Sequence, residues 1–296
     1  MVGVAWKVLQ NPKKAVAALI RDPIEAWIKL GEYVDLPREQ RKPACEYVAE
    51  EDWEHRLHRC LGVAWPCEEL SEFNALWPDV IGPLKREGVR VGPESFGPWN
   101  DGDPAFVRAV WCLIRHLRPS KIVETGVAHG VTSRFILEAL EKNGAGHLWS
   151  IDLPPNAILE KEVGVAVAGR RHDRWSYIKG SSRRRLPALL SELGQIDLFI
   201  HDSLHTERTV RFEVDRAWAV LKPGGAVVID DIDVNWGFRS FVKAFPNYPS
   251  LICEAEPLHP DLRRFNKKGL FGVVLKTPIG PNHTQSQMYS GRGGAH

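Results

Sequence analysis

The chain has 296 residues, 44% of them hydrophobic and 26% charged, the balance of a globular protein with a substantial core. A formal net charge of +2 is too small to imply a nucleic-acid or acidic-membrane partner. The five cysteines (Cys45, Cys60, Cys67, Cys112, Cys253) are odd in number and irregularly spaced, which excludes a disulfide framework and fits a reducing compartment.

No segment is apolar for long enough to span a bilayer. The first residues could pass for a signal peptide, but Pro12, Lys13 and Lys14 interrupt the apolar run and no small-residue cleavage site follows. The expectation is a cytoplasmic protein.

Residues 1–98 read as a helical extension without a clear strand. "NPKKAVAALI" and "DPIEAWIKL" match at an offset of 11, pairing Asn11 with Asp22 and Pro12 with Pro23. Each copy opens with an N-cap residue followed by Pro at the first helical position. Both are expected to be short amphipathic helices that pack on the main domain or on a second copy of the chain, giving a homo-oligomer. A membrane-surface or substrate-covering role is the sharper alternative.

A domain over 99–277 follows. Asp103-Pro104 starts a helix with Phe106, Val110, Leu113, Ile114 and Leu117 on one face. Strands are then predicted at 121–125, 147–152, 175–180, 196–201 and 225–231, with helices near 132–142, 157–168, 186–193 and 206–221. Continuous apolar strands alternating with helices predict a parallel sheet covered on both faces. Runs at 251–256 and 270–276 read as a terminal hairpin that adds an antiparallel strand. The polar, Gly-rich tail 278–296 reads as disordered.

In a doubly wound sheet, ligands bind beyond the C-terminal strand ends. The first strand runs into "VETGVAHGVTS", where Gly126 and Gly130 bracket a turn and Thr132 is placed to cap the next helix. The pattern E-x-G-x-x-x-G is not the G-x-G-x-x-G of a dinucleotide site, and Glu124 would repel a diphosphate but suit a cation. This argues against the alternative of an NAD(P)-dependent oxidoreductase. Asp152 ends the second strand, 22 residues after Gly130, where a carboxylate can hold ribose hydroxyls. Gly180, Ser181 and Ser182 follow the third strand and could line an adenine edge. Together these features fit a nucleoside carrying a positive charge.

With "IDLFIHDSLH" and "LKPGGAVVIDD", this ordered set resembles the class I S-adenosylmethionine (SAM)-dependent methyltransferases over about residues 100–276. Within them it is similar to a bacterial group of small-molecule and sugar O-methyltransferases. The resemblance implies a Rossmann-like seven-stranded sheet, mostly parallel with an antiparallel strand from the last hairpin. It implies that Glu124 approaches the methionine amino group, that Thr125, Gly126, Gly130 and Thr132 line the cofactor, that Asp152 holds the ribose and that Ser181 sits near the adenine. Many relatives end the fourth strand in D-G-x-H. Here the loop is His201-Asp202-Ser203-Leu204-His205, one residue longer, so either His201 or Asp202 fills the acidic position.

Methyl transfer to a hydroxyl needs in-line positioning and removal of a proton. Two readings stand side by side. Asp202, Asp230 and Asp231, at the ends of adjacent strands, converge on a magnesium ion, as in some relatives. His205 acts as general base with Asp202 beside it. Asn235 is a further candidate for the same pocket. The expected substrate is a small hydroxylated molecule. A methyltransferase-like binding module without catalysis is the third class.

Other signals are discounted. His55, His58, Cys60 and Cys67 have the spacing H-x2-H-x-C-x6-C, which fits no common zinc site. The seven Arg and Lys of 170–185 read as a solvated face. Trp99, Asn100 and Asp101 could border the substrate site or only pack.

Overall fold

The computed structural model describes residues 20, 22–39, 41–43, 45–86, 103–154, 160–167, 173–256 and 269–277. The first N-terminal copy, Trp99 to Asp101 and the tail lie outside these residues.

The second copy forms α1, Pro23–Glu39, and the Asp22 carboxylate accepts from the Glu25 amide at 3.1 Å, as an N-cap before Pro should. Helices α2 (Trp53–Leu61) and α3 (Glu69–Arg86) follow. Helix α4, Pro104–Leu117, is capped by Asp103, whose carboxylate accepts from the Ala105 amide at 2.9 Å.

Strand and helix then alternate as expected: β1 (Lys121–Thr125), α5 (Val131–Asn143), β2 (His147–Asp152), β3 (Trp175–Lys179), α6 (Ser182–Leu193), β4 (Ile196–His201), α7 (Glu207–Val220) and β5 (Leu221–Ile229). A 3-10 turn (Ile232–Val234) and helix α8 (Gly237–Ala244) come next, then β6 (Ser250–Glu254) and β7 (Leu270–Leu275). Helix α8 was not anticipated, although Phe238, Phe241 and Phe245 carry helical spacing. The helix expected near 157–168 falls partly outside the described residues, and 160–167 is mostly turn.

The seven strands lie in the order β3-β2-β1-β4-β5-β7-β6, and only β7 runs against its neighbours β5 and β6. This is the Rossmann-like sheet the sequence implied. Alternate residues of each strand feed opposite layers. Ile122, Leu198, Ile200, Ala226 and Val228 join one core with α4 and α5, while Val123, Phe199, Val227 and Ile229 join the other with α6, α7 and α8. Burying a side chain such as Phe199 is worth about 1.5–3 kcal/mol.

The N-terminal helices share the first of these cores. Trp53, Leu57, Phe73, Val80, Ile81 and Leu84 pack with α4, α5 and the sheet. Helix α1 attaches more lightly. Glu25 and Lys29 reach the sheet's C-terminal edge, while Ile24, Trp27, Leu30 and Val34 are exposed.

Strand order reverses between β1 and β4, so the crevice of a doubly wound sheet opens beyond Thr125 and His201.

Candidate active site

Glu124, one residue from the end of β1, is fully buried. One carboxylate oxygen, Oε2, accepts from the hydroxyls of Ser133 (2.6 Å) and Ser150 (2.7 Å). The other, Oε1, is buried without a hydrogen-bond partner. Burial, helped by the Asp152 charge, pushes its pKa up to about 7. A buried acceptor of this kind suits an ammonium donor.

The turn after β1 is held by the protein itself. Gly126 has φ +87°, and a Cβ there would come within 1.9 Å of the Asp202 carbonyl oxygen. A Cβ on Gly130 (φ +81°) would come within 2.8 Å of Gly164 Cα. Both glycines are needed for backbone approach to other parts of the chain, where direct lining of a cofactor had been expected. Gly130 is also the helix cap, so Thr132, the second residue of α5, does not cap it. Residues 160–167 dock on this turn through backbone bonds from Gly164 to Ala128 and from Ala166 to His129 (both 2.9 Å). The His129 ring joins in, 3.2 Å from Glu162 Oε2.

Asp152 lies beside the turn. Its Oδ2 accepts from the Val127 (2.9 Å) and Ala128 (3.0 Å) amides, so the carboxylate clasps the glycine turn. Ser181 precedes α6, and its buried hydroxyl makes no hydrogen bond. The Ser181 amide donates to Glu25 Oε1 of α1 at 3.0 Å. Glu124, Asp152 and Ser181 thus stand at or just past the C-terminal ends of the neighbouring strands β1, β2 and β3.

The loop after β4 divides into two groups. His201 is the last strand residue and fully buried. Its Nδ1 lies 2.6 Å from Glu213 Oε2, which also accepts from Thr125 Oγ1 at 2.6 Å. Glu213 Oε1 accepts from Ser203 Oγ at 2.9 Å. Burial opposes the Glu213 charge, but His201 and the hydroxyl donors outweigh it and its pKa is lowered. Thr125 is therefore committed to this network through its hydroxyl and to the Asp202 amide through its carbonyl (2.8 Å). Sequence reasoning missed Glu213. A carboxylate between Val210 and Val214 on the apolar stripe of α7 was the available signal.

Asp202, His205 and Asp230 form the second group, with one potential ligand atom from each within 4.8 Å of the others. His205 Nε2 is 3.7 Å from Asp202 Oδ1 and 3.7 Å from Asp231 Oδ2. Asp231 adopts the left-handed conformation (φ 50°), uncommon for a side-chain-bearing residue and typical of functional loops. The tight set is therefore Asp202, His205 and Asp230, and Asp231 stands against the imidazole instead of completing a three-carboxylate cluster. Asp202, one residue past β4, is the acidic residue of the loop, and His201 is structural. Asn235 lies just before α8, its Oδ1 accepting from the Gly237 amide at 2.7 Å.

Residues 123–232 match the family model described as a methyltransferase domain. No curated protein matches the chain. Among solved structures, an O-methyltransferase from Streptomyces achromogenes involved in tomaymycin synthesis, in complex with SAM, is 15% identical with a TM-score of 0.50, covering 78% of this chain and 100% of that one. An O-methyltransferase from Bacillus cereus, in complex with S-adenosylhomocysteine (SAH), is 14% identical with a TM-score of 0.49, covering 75% and 97%. At such identities the likeness is one of fold. No helix among the described residues is long and apolar enough to cross a membrane. The family match, over a sheet of this order, shows that the chain carries a methyltransferase domain.

Proposed function

We propose that the protein transfers the methyl group of SAM to a hydroxyl of a small molecule, a sugar or a natural product. The observation that carries this reading is the Asp202–His205–Asp230 group at the mouth of the crevice, with Asp231 also 3.7 Å from the imidazole Nε2.

SAM supplies a sulfonium methyl carbon to the crevice. The buried, unpartnered Glu124 Oε1 suits its amino group, and Asp152 and Ser181 occupy the positions for ribose and adenine. Asp152 reaches a ribose while holding the turn amides, so its clasp also fixes the shape of the cofactor floor. The O-methyltransferase from S. achromogenes, whose structure holds SAM, supports this reading.

His205 removes the hydroxyl proton at Nε2. Asp202 and Asp231, both 3.7 Å from that nitrogen, stabilise the imidazolium that forms. Asp202 and Asp230 would hold a magnesium ion, whose contribution would be to orient the hydroxyl and make it more acidic. A hard ion prefers oxygen donors, which leaves His205 in the role of base.

Calorimetry with SAH and turnover on a panel of hydroxylated acceptors test the proposal. Absence of SAH binding would remove the cofactor assignment. Activity unchanged by EDTA and by Asp230→Ala would remove the metal and leave His205 as the proton acceptor.

A further inference from the structure

His58, Cys67 and His116 come together far from one another in sequence, each offering a ligand atom within 4.8 Å of the others. They belong to α2, the α2–α3 loop and the end of α4. His116 precedes β1 by a few residues, so this group lies at the N-terminal edge of the parallel strands, opposite Asp202. Cys112 sits four residues before His116 on the same face of α4, buried and next to Cys67. We infer that His58, Cys67 and His116 hold a structural zinc ion, with Cys112, outside the 4.8 Å set, closing on the metal as the fourth ligand of a Cys2His2 site.

The donor chemistry and the spacing agree. Four-coordinate zinc with Zn–S near 2.3 Å and Zn–N near 2.0 Å sets its donors about 3.5 Å apart. His58 Nε2 is 3.2 Å from Cys67 Sγ. His58 is already oriented for the task. Its Nδ1 lies 2.7 Å from the Glu54 carbonyl, which can only accept, so Nδ1 carries a proton and the neutral ring turns its Nε2 lone pair to the sulfur. Lone pair and sulfur at this distance need a proton or a cation between them.

His116 contributes a buried Nε2 with no hydrogen bond, and its ring lies edge-on to that of His58 at 5.3 Å. Zinc would displace to solvent the thiol protons of its ligands. The loop bearing Cys67 is pinned to α4, because Trp111 Nε1 donates to the Glu69 carbonyl at 3.0 Å. His55 and Cys60, on the exposed side of α2, take no part. The site would staple the N-terminal helices to the methyltransferase domain.

The test is metal analysis of the full chain purified without chelators. About one zinc per chain is expected, falling below about a tenth in Cys67→Ser and His58→Gln, which avoid the deeply buried Cys112. Cobalt substitution should give the thiolate charge-transfer and tetrahedral ligand-field bands, lost in the same variants. Wild-type chain free of zinc and unable to give the cobalt spectrum would overturn the inference. So would zinc retained in both variants, or an intact mass lower by two hydrogens, which would mark a Cys67–Cys112 disulfide.

Discussion

His201 and His205 stand four residues apart with their rings edge-to-face at 5.6 Å, yet they belong to different kinds of environment. His201 is sealed between β4 and α7, held by Glu213 with Thr125 and Ser203 completing the carboxylate's bonds. His205 is partly open, flanked by carboxylates 3.7 Å away that are too distant to bond it directly. Both Glu213 oxygens are bonded, and a buried network of this kind fixes backbone, because each member's loss strands the others. A half-open imidazole among carboxylates has room to meet a ligand. The same residue type is sealed into the architecture in one place and, in the proposed function, does chemistry in the other, and burial separates the two.

That contrast breaks most sharply at His205. His205→Ala should lower kcat by about 10²–10⁴-fold, the usual contribution of a positioned base. SAH affinity should stay within about twofold, since the binding assigned to Glu124 is untouched. Turnover and calorimetry measured side by side check this. Equal losses in both would make His205 part of the cofactor floor.

The sealed side answers with stability. Glu213→Ala leaves His201 Nδ1 and two hydroxyls unpaired in a closed space. It should cost about 3–5 kcal/mol, read by chemical denaturation. A loss below about 1 kcal/mol, with activity abolished, would reverse the assignment of roles.

Glu124 lies between the extremes, buried like Glu213 but with one oxygen unsatisfied. Its folded-state pKa of about 7 exceeds the ordinary 4.5, so the folded chain keeps this proton longer than the unfolded chain. The contribution is full below 4.5, declines as pH rises to about 7, and is flat beyond. The decline amounts to about 3 kcal/mol at most and should vanish in Glu124→Gln. An ammonium beside the carboxyl favours its charged form, so SAH binding near pH 6.5 should release a proton. Calorimetry in buffers of different ionisation enthalpy detects that release, and proton uptake would contradict the pairing of Glu124 with the amine.

The same contrast explains what was legible in the sequence. Alternating strands and helices specify the sheet, because period and run length are local properties. Asp202 and His205 stood out in the sequence because polar groups after an apolar strand are conspicuous, and the structure brings them together. Thr125, Gly126 and Asp152 were read as facing a ligand, and the structure adds a partner for each in another segment: Glu213 for Thr125, the Asp202 backbone for Gly126, two turn amides for Asp152. Such partners are set by register and packing, which a motif does not carry. The Cys67–Cys112–His116 neighbourhood was hidden for the same reason. Together with His58 its members come from α2, the α2–α3 loop and α4, and the short-range spacing drew attention to His55 and Cys60 instead.

The smallest expected effect concerns α1, the part of the extension that shares least of the core. Glu25 accepts from the Ser181 amide at the start of α6 and has Arg184 within 3.7 Å, so its carboxylate serves as a borrowed cap where Ser181 supplies none. Glu25→Ala should cost about 1 kcal/mol, or roughly 2–4 °C in Tm. The consequence for the open side matters more than the size of the loss. Ser181 is assigned to the adenine edge, and α1 roofs it through this bond. If SAH affinity in Glu25→Ala stays within about twofold, α1 is a cover resting on a site complete without it. A loss near tenfold, about 1.4 kcal/mol, would make the N-terminal helix a wall of the cofactor crevice and move the boundary between sealed and open across to β3.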